Sequence, residues 1–243
     1  MNTPRFALAM AILTVAWLAA ACDEPGNLQT DTQTVAAGGA ERVDVNLEMG
    51  AGELRLTSAK QDALLDATFR HNRPRLKPEV DYHVAGSTGL LRVGRRHHDG
   101  FSFGHVRNEW DLRLGQSLPV DIRVNLGAGE SKLDLRGLQI SGVDIDMGVG
   151  EMTLDLQGPH ARSFDVKING GVGSGRIYLP ADVGVRARVQ GGIGSVDVHG
   201  LSKQGRVYTN DAYGKSPVTI DVDINAGIGS LDLRVEPGDR VKR

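Results

Sequence analysis

The sequence predicts an all-β protein built as a β-solenoid, and three observations carry that expectation. Apolar residues alternate with polar ones over most of the chain. A Gly-x-Gly step recurs at nearly even spacing. The composition is rich in glycine, 32 of 243 residues, and poor in aromatics, at 5%. Period-two alternation puts one face of a strand in a core and the other in water. A β unit of about 20 residues cannot bury its apolar face alone, so it has to stack on copies of itself.

The chain opens with a different pattern. Met1 to Arg5 carries one positive side chain, Phe6 to Ala21 is almost wholly apolar, and Ala19-Ala20-Ala21 precede Cys22. This is the layout of a secretory signal peptide, residues 1–21. The stretch of 16 apolar residues is short of the ~20 needed to cross a bilayer as a helix. Leu18-Ala19-Ala20-Ala21-Cys22 resembles a bacterial lipobox, with its leucine one place earlier than in the commonest form. That resemblance implies cleavage before Cys22 and a lipid on its sulfur; the alternative is an ordinary cleaved signal with a chance thiol. Cys22 is the one cysteine of the chain, so no disulfide is available. Asp23 and Glu24 resemble an inner-membrane retention signal of enteric bacteria. The expectation is therefore a cell-envelope protein, with the periplasmic face of the inner membrane slightly favoured over the outer membrane in a Gram-negative cell.

Residues 22–39, polar and without periodicity, read as a lipidated flexible tether. Residues 40–118 form a less regular β part. Val43 to Leu56 holds one glycine corner; Ala63–Phe69, Val80–Val84 and Leu90–Val93 read as strands; Arg95 to Asn108 reads as a polar loop; and Trp110 to Leu114 restarts the alternation. Residues 119–243 are the repetitive part, with 40–243 read as one continuous domain.

The corners are Gly50-Ala51-Gly52, Gly127-Ala128-Gly129, Gly148-Val149-Gly150, Gly171-Val172-Gly173, Gly192-Ile193-Gly194 and Gly227-Ile228-Gly229. The four from Gly127 to Gly192 are spaced by 21 to 23 residues. Gly200 to Pro217 reads as a loop inserted before the last. Each corner joins two short strands, and its glycines serve as architecture, by positive φ or close backbone approach. In-register stacking in chain order would align Glu48, Asn125, Asp146, Asn169, Gln190 and Asn225 in an outer column able to hydrogen-bond along itself. It would also point Leu126, Met147, Gly170, Gly191 and Ala226 inward, narrowing the interior toward the C-terminus. Ala128, Val149, Val172, Ile193 and Ile228 are expected to form a further inward apolar column.

Several motifs and their flanks resemble the bacterial toast-rack family. They include Asn108-Glu109-Trp110-Asp111-Leu112, Leu118-Pro119-Val120-Asp121, Leu126-Gly127-Ala128-Gly129, Leu133-Asp134-Leu135, Leu179-Pro180 before Val183-Gly184-Val185, and Gly191-Gly192-Ile193-Gly194-Ser195-Val196. The resemblance covers essentially the whole mature domain. It implies a right-handed parallel β-helix-like stack, related to the C-terminal domains of membrane proteins in the cell-wall antibiotic response. It brings no catalytic residues with it.

The residues name no chemistry of their own. His71, His83, His97, His98 and His105 fall among Arg70, Arg73, Arg75, Arg95 and Arg96, which repel a cation, so a polar loop facing a membrane or partner is expected rather than a metal site. Gly191 to Asp197 superficially resembles a calcium-binding nonapeptide, but its repeat is more than twice too long, and Asp134, Asp155, Asp197 and Asp232 read as wet-face residues. No corner has the context of a dinucleotide or phosphate loop. Arg186, Arg188 and Arg206 form the one small basic group open to a polysaccharide-active β-helix, and aromatic platforms for sugar are scarce. The net charge of −2 gives no field for nucleic acid. The sequence thus points to a non-enzymatic, lipid-anchored envelope scaffold with an unknown protein partner and no cofactor, which the family resemblance links to envelope stress sensing, with a glycan-binding or glycan-cleaving β-helix as the alternative.

Overall fold

The computed structural model describes residues 27–94 and 106–236. Its strands are β1 (Gln29–Ala36), β2 (Arg42–Ala59), β3 (Ala63–His71), β4 (Glu79–Ala85), β5 (Thr88–Gly94), β6 (Asn108–Gly115), β7 (Pro119–Asp134), β8 (Gln139–Asp155), β9 (Phe164–Pro180), β10 (Gly184–His199), β11 (Ser202–Gln204), β12 (Val207–Thr209) and β13 (Thr219–Glu236). One short 3-10 turn, Pro74–Leu76, follows β3. The signal peptide, Cys22 and the histidines at 97, 98 and 105 lie outside the described residues.

Six long strands, β2, β7, β8, β9, β13 and β10, lie parallel and in register, and each bends at its Gly-x-Gly corner into two legs. The fold is therefore a parallel β-solenoid. Apolar side chains of both legs are buried against each other, as with Val143 and Ile145 on the first leg of β8 and Met152, Leu154 and Leu156 around its second.

At the N-terminal end the two legs of β2 take different neighbours. The first leg pairs with β5, which pairs with β4; the second pairs with β6, which continues to β3 and β1. Gln29–Ala36, expected in the tether, is thus the strand β1. Asp31 fixes it: Asp31 accepts from Lys77 Nζ at 2.6 Å and lies 3.0 Å from His71 Nε2. Trp110 closes this end, edge-on to Phe69 at 5.7 Å, and donates from Nε1 to Asn108 Oδ1 at 3.0 Å.

Chain order and stacking order differ at the other end. β13 inserts between β9 and β10. One charge row on the outer face fits the exchange, although the same exchange also sets Asp221 beside Asp165 and Asp197 beside Asp232. If β10 lay directly on β9 in the repeat register, Arg188 would stand level with Lys167. With β13 between them, the outer face reads Arg123, Asp144, Lys167, Asp223, Arg188, alternating in sign at every strand. The residues expected as an inserted loop supply β11 and β12, which cover the first leg of β10 at Arg186–Arg188.

Candidate interaction surface

The corner sets the chemistry of the solenoid's outer spine. The second glycine takes positive φ; Gly150 is at +145°. The first glycine has ordinary φ and, except at Gly50 where the space is open, no room: a methyl group on Gly171 would overlap the carbonyl oxygen of Gly148. Both are architectural, one through conformation and one through close approach.

The bend at the corner also shifts the strand's phase. On β2 the buried positions run Val43, Val45, Leu47, Met49, then Leu54 and Leu56, changing from odd to even across the corner. The same change occurs on β7, β8, β9 and β13. Period two extrapolated through the corner therefore fails, and this corrects the expected inward column. The residue between the glycines points out: Val149, Val172 and Ile228 are 54%, 48% and 56% exposed. They align in register in the series Ala51, Ala128, Val149, Val172, Ile228, whose apolar side chains enlarge along the stack.

Polar columns rim this apolar spine. On one side run Glu48, Asn125, Asp146, Asn169, Asn225 and Gln190. The expected hydrogen-bond ladder is present: Asn169 Nδ2 donates to Asp146 Oδ1 at 2.8 Å, and Asn225 Nδ2 to Asn169 Oδ1 at 3.0 Å. On the other side run Glu53, Glu130, Glu151, Ser174, Ser230 and Ser195. The rims thus change from acidic to neutral as the spine becomes more apolar.

Inside the spine, Met147, Gly170, Ala226 and Gly191 follow the buried Met49 and Leu126. The interior was expected to narrow here. Instead the small residues, with Gly175 on the second leg, leave a mostly apolar cleft of about 80 Å³ between Met147, Met152, Ile168, Val189, Val196, Ile224 and Leu231. A second depression, of about 250 Å³, is lined by Glu53, Arg55, Arg70, Glu109, Asp111, Glu130 and Lys132. Trp110 borders it but is buried, so it offers no face for sugar stacking.

The other candidates do not assemble. His71 is buried in its contact with Asp31 on the second-leg sheet, while His83 is exposed on β4 beside the first leg. Among the described residues no group of three or more His, Cys, Asp or Glu side chains could hold a metal. Arg186 is paired with Asp221, and Arg188 reaches both oxygens of Asp223 at 2.5 and 2.9 Å. The guanidinium of Arg188 holds the Asp223 carboxyl below the usual carboxylate range. The basic group is thus neutralised by the inserted strand, which the sequence did not place beside it.

A family model described as the N-terminal domain of toast_rack matches residues 24–178. The chain belongs to the toast-rack family. A solved structure, of a candidate cell adhesion protein from Clostridium sporogenes, is 32% identical with a TM-score of 0.82, covering 86% of this chain and 100% of that one. A candidate adhesin from Bacteroides fragilis also matches, over 86% of this chain and 99% of that one, at 14% identity and a TM-score of 0.34. No curated protein matches the chain.

Proposed function

We propose that this toast-rack protein is a non-enzymatic envelope protein, anchored by lipid on Cys22, that uses its solenoid as a scaffold for a protein partner. The observation that carries the reading is the exposed spine of Val149, Val172 and Ile228 between polar columns. Apolar surface rimmed by polar groups is the usual form of a recognition surface. The 32% identical relative is named for cell adhesion, which is also a binding role. Asp23 and Glu24 favour the periplasmic face of the inner membrane, where a role in envelope stress sensing would fit.

The anchor is tested by acyl labelling and globomycin sensitivity, both lost in Cys22→Ser. The scaffold reading is tested by a photo-crosslinking residue at Val172 in native membranes, followed by mass spectrometry. Recovery of one protein partner, lost when the crosslinker is moved to Lys132, is expected. Glycan fragments bound in place of a protein would overturn the reading in favour of a glycan-binding β-helix.

A further inference from the structure

The solenoid's last strand is covered on one leg and bare on the other. The first leg of β10 pairs with β12, but Ser195–His199, on the second leg, pairs with β13 alone. Among the described residues, the outward N–H and C=O groups of Ser195–His199 have no ladder partner. Such an edge invites another strand. Side-chain columns also end there unfinished. Asp197 stands level with Asp232 yet has no ion pair among the described residues, whereas Asp232 has Arg234 at 2.9 Å. Val196, at 43% exposure, borders the apolar cleft beside this edge.

We propose that the second leg of β10 is the two-fold interface of a homodimer, pairing antiparallel with the same segment of a second copy, with Val198 opposite Val198. Charge selects this register. With the dyad at Val198, Asp197 of each copy faces His199 of the other, and all four side chains lie on the outer face. With the dyad at Asp197, two carboxylates face each other, which is unfavourable in a cross-strand pair. Identity of the partner follows from complementarity: the leg carries both the carboxylate and the imidazole that an antiparallel copy of itself would face, and a two-fold pair uses the bare β10 leg of both copies at once, leaving only the β1 edges open. Pairing there also covers apolar surface that a lone copy leaves wet at Val196. The interface is separate from the Val172 spine, so either can fail without the other.

The test uses the full chain in its native membranes, with the unaltered chain as the Cys22 background. Directly opposite residues on antiparallel strands have Cα atoms about 4.5–5.5 Å apart, inside the roughly 4.4–6.8 Å that a disulfide spans. Val198→Cys is expected to give a disulfide-linked dimer on oxidation. Ser195→Cys is expected to give none, because its counterpart stands six residues along, about 20 Å away. Asp197→Lys should lower the Val198→Cys dimer yield several-fold, and exchanging the pair as Asp197→His with His199→Asp should restore it. A monomer from Val198→Cys, equal crosslinking from Ser195→Cys, or insensitivity to Asp197→Lys overturns the proposal.

Discussion

Replacing Gly150 with alanine should be among the most damaging small changes on the solenoid's surface. The residue sits at φ +145°, where an L side chain is strained by about 1–3 kcal/mol. Its added methyl group would overlap the carbonyl oxygen of Gly129 on the preceding strand. Relieving an overlap with backbone moves a whole rung and costs about 1–3 kcal/mol more. The sum is near 4 kcal/mol. With a urea m-value of about 3 kcal/mol/M for a domain of this size, the midpoint should fall by more than about 1 M. Urea unfolding of residues 22–243 carrying Cys22→Ser, followed by far-UV circular dichroism, measures it. Two controls isolate the cause. Val149→Ala, next door but exposed, should shift stability by less than about 0.5 kcal/mol. Gly50→Ala has ordinary φ and open space around it, so it should be neutral or stabilising by up to about 1 kcal/mol. If Gly150→Ala moves the midpoint by less than about 0.3 M, or no more than Gly50→Ala does, the stacked-corner account is wrong.

Asn169→Ala removes the middle of the amide ladder and should cost roughly 0.5–1.5 kcal/mol. The double variant with Asn225→Ala should cost less than the sum, because the two share one hydrogen bond, and full additivity in urea titrations would count against a ladder. The Lys77 ammonium and His71 hold the Asp31 carboxyl below its ordinary range, so its contribution is present above the unfolded pKa and is lost as pH falls through the folded one. Protection factors of residues 29–36, taken against the intrinsic exchange rate at each pH, should fall in acid, and Asp31→Asn should give that low protection already at pH 7. Burial pushes the Asp155 carboxyl up, so its folded form favours the proton and loses stability as pH rises through the folded pKa. Asp155→Asn should therefore raise the urea midpoint at pH 7 and have little effect below the carboxylate range; a fall at pH 7 would show that its contact with Arg136 outweighs desolvation.

What the sequence revealed follows what local spacing encodes. Gly-x-Gly at even intervals, with alternating strands on either side, is enough to place the corners and set Asp146, Asn169, Gln190 and Asn225 at equal height, since parallel stacking carries equivalent residues to one level; that Asn225 and not Gln190 lies next to Asn169 was not legible. Three features needed information that spacing does not hold. The outward turn of Val149, Val172 and Ile228 depends on a phase change produced by the corner's dihedral angles. The insertion of β13 brings Arg188 and Asp223 together across 35 residues, a pairing that local spacing does not encode. The strand β1 has no apolar alternation strong enough to mark it: it is an edge strand held on β3 by a backbone ladder, to which Asp31 adds contacts with His71 and Lys77. The candidate surface was legible only as glycine architecture; its apolar character appears once the phase is known.

β1 and the bare leg of β10 lie at opposite edges of the second-leg sheet, eight strand steps apart. At about 4.8 Å per step the sheet spans about 38 Å. With the proposed anchor upstream of β1, the solenoid is a ruler: it fixes how far its outermost strand stands from the attachment point. Each added or deleted repeat would change that reach by one step of about 4.8 Å and leave both ends as they are. Stand-off height is thus a property that duplication of one short segment can tune, independently of whatever the two ends recognise.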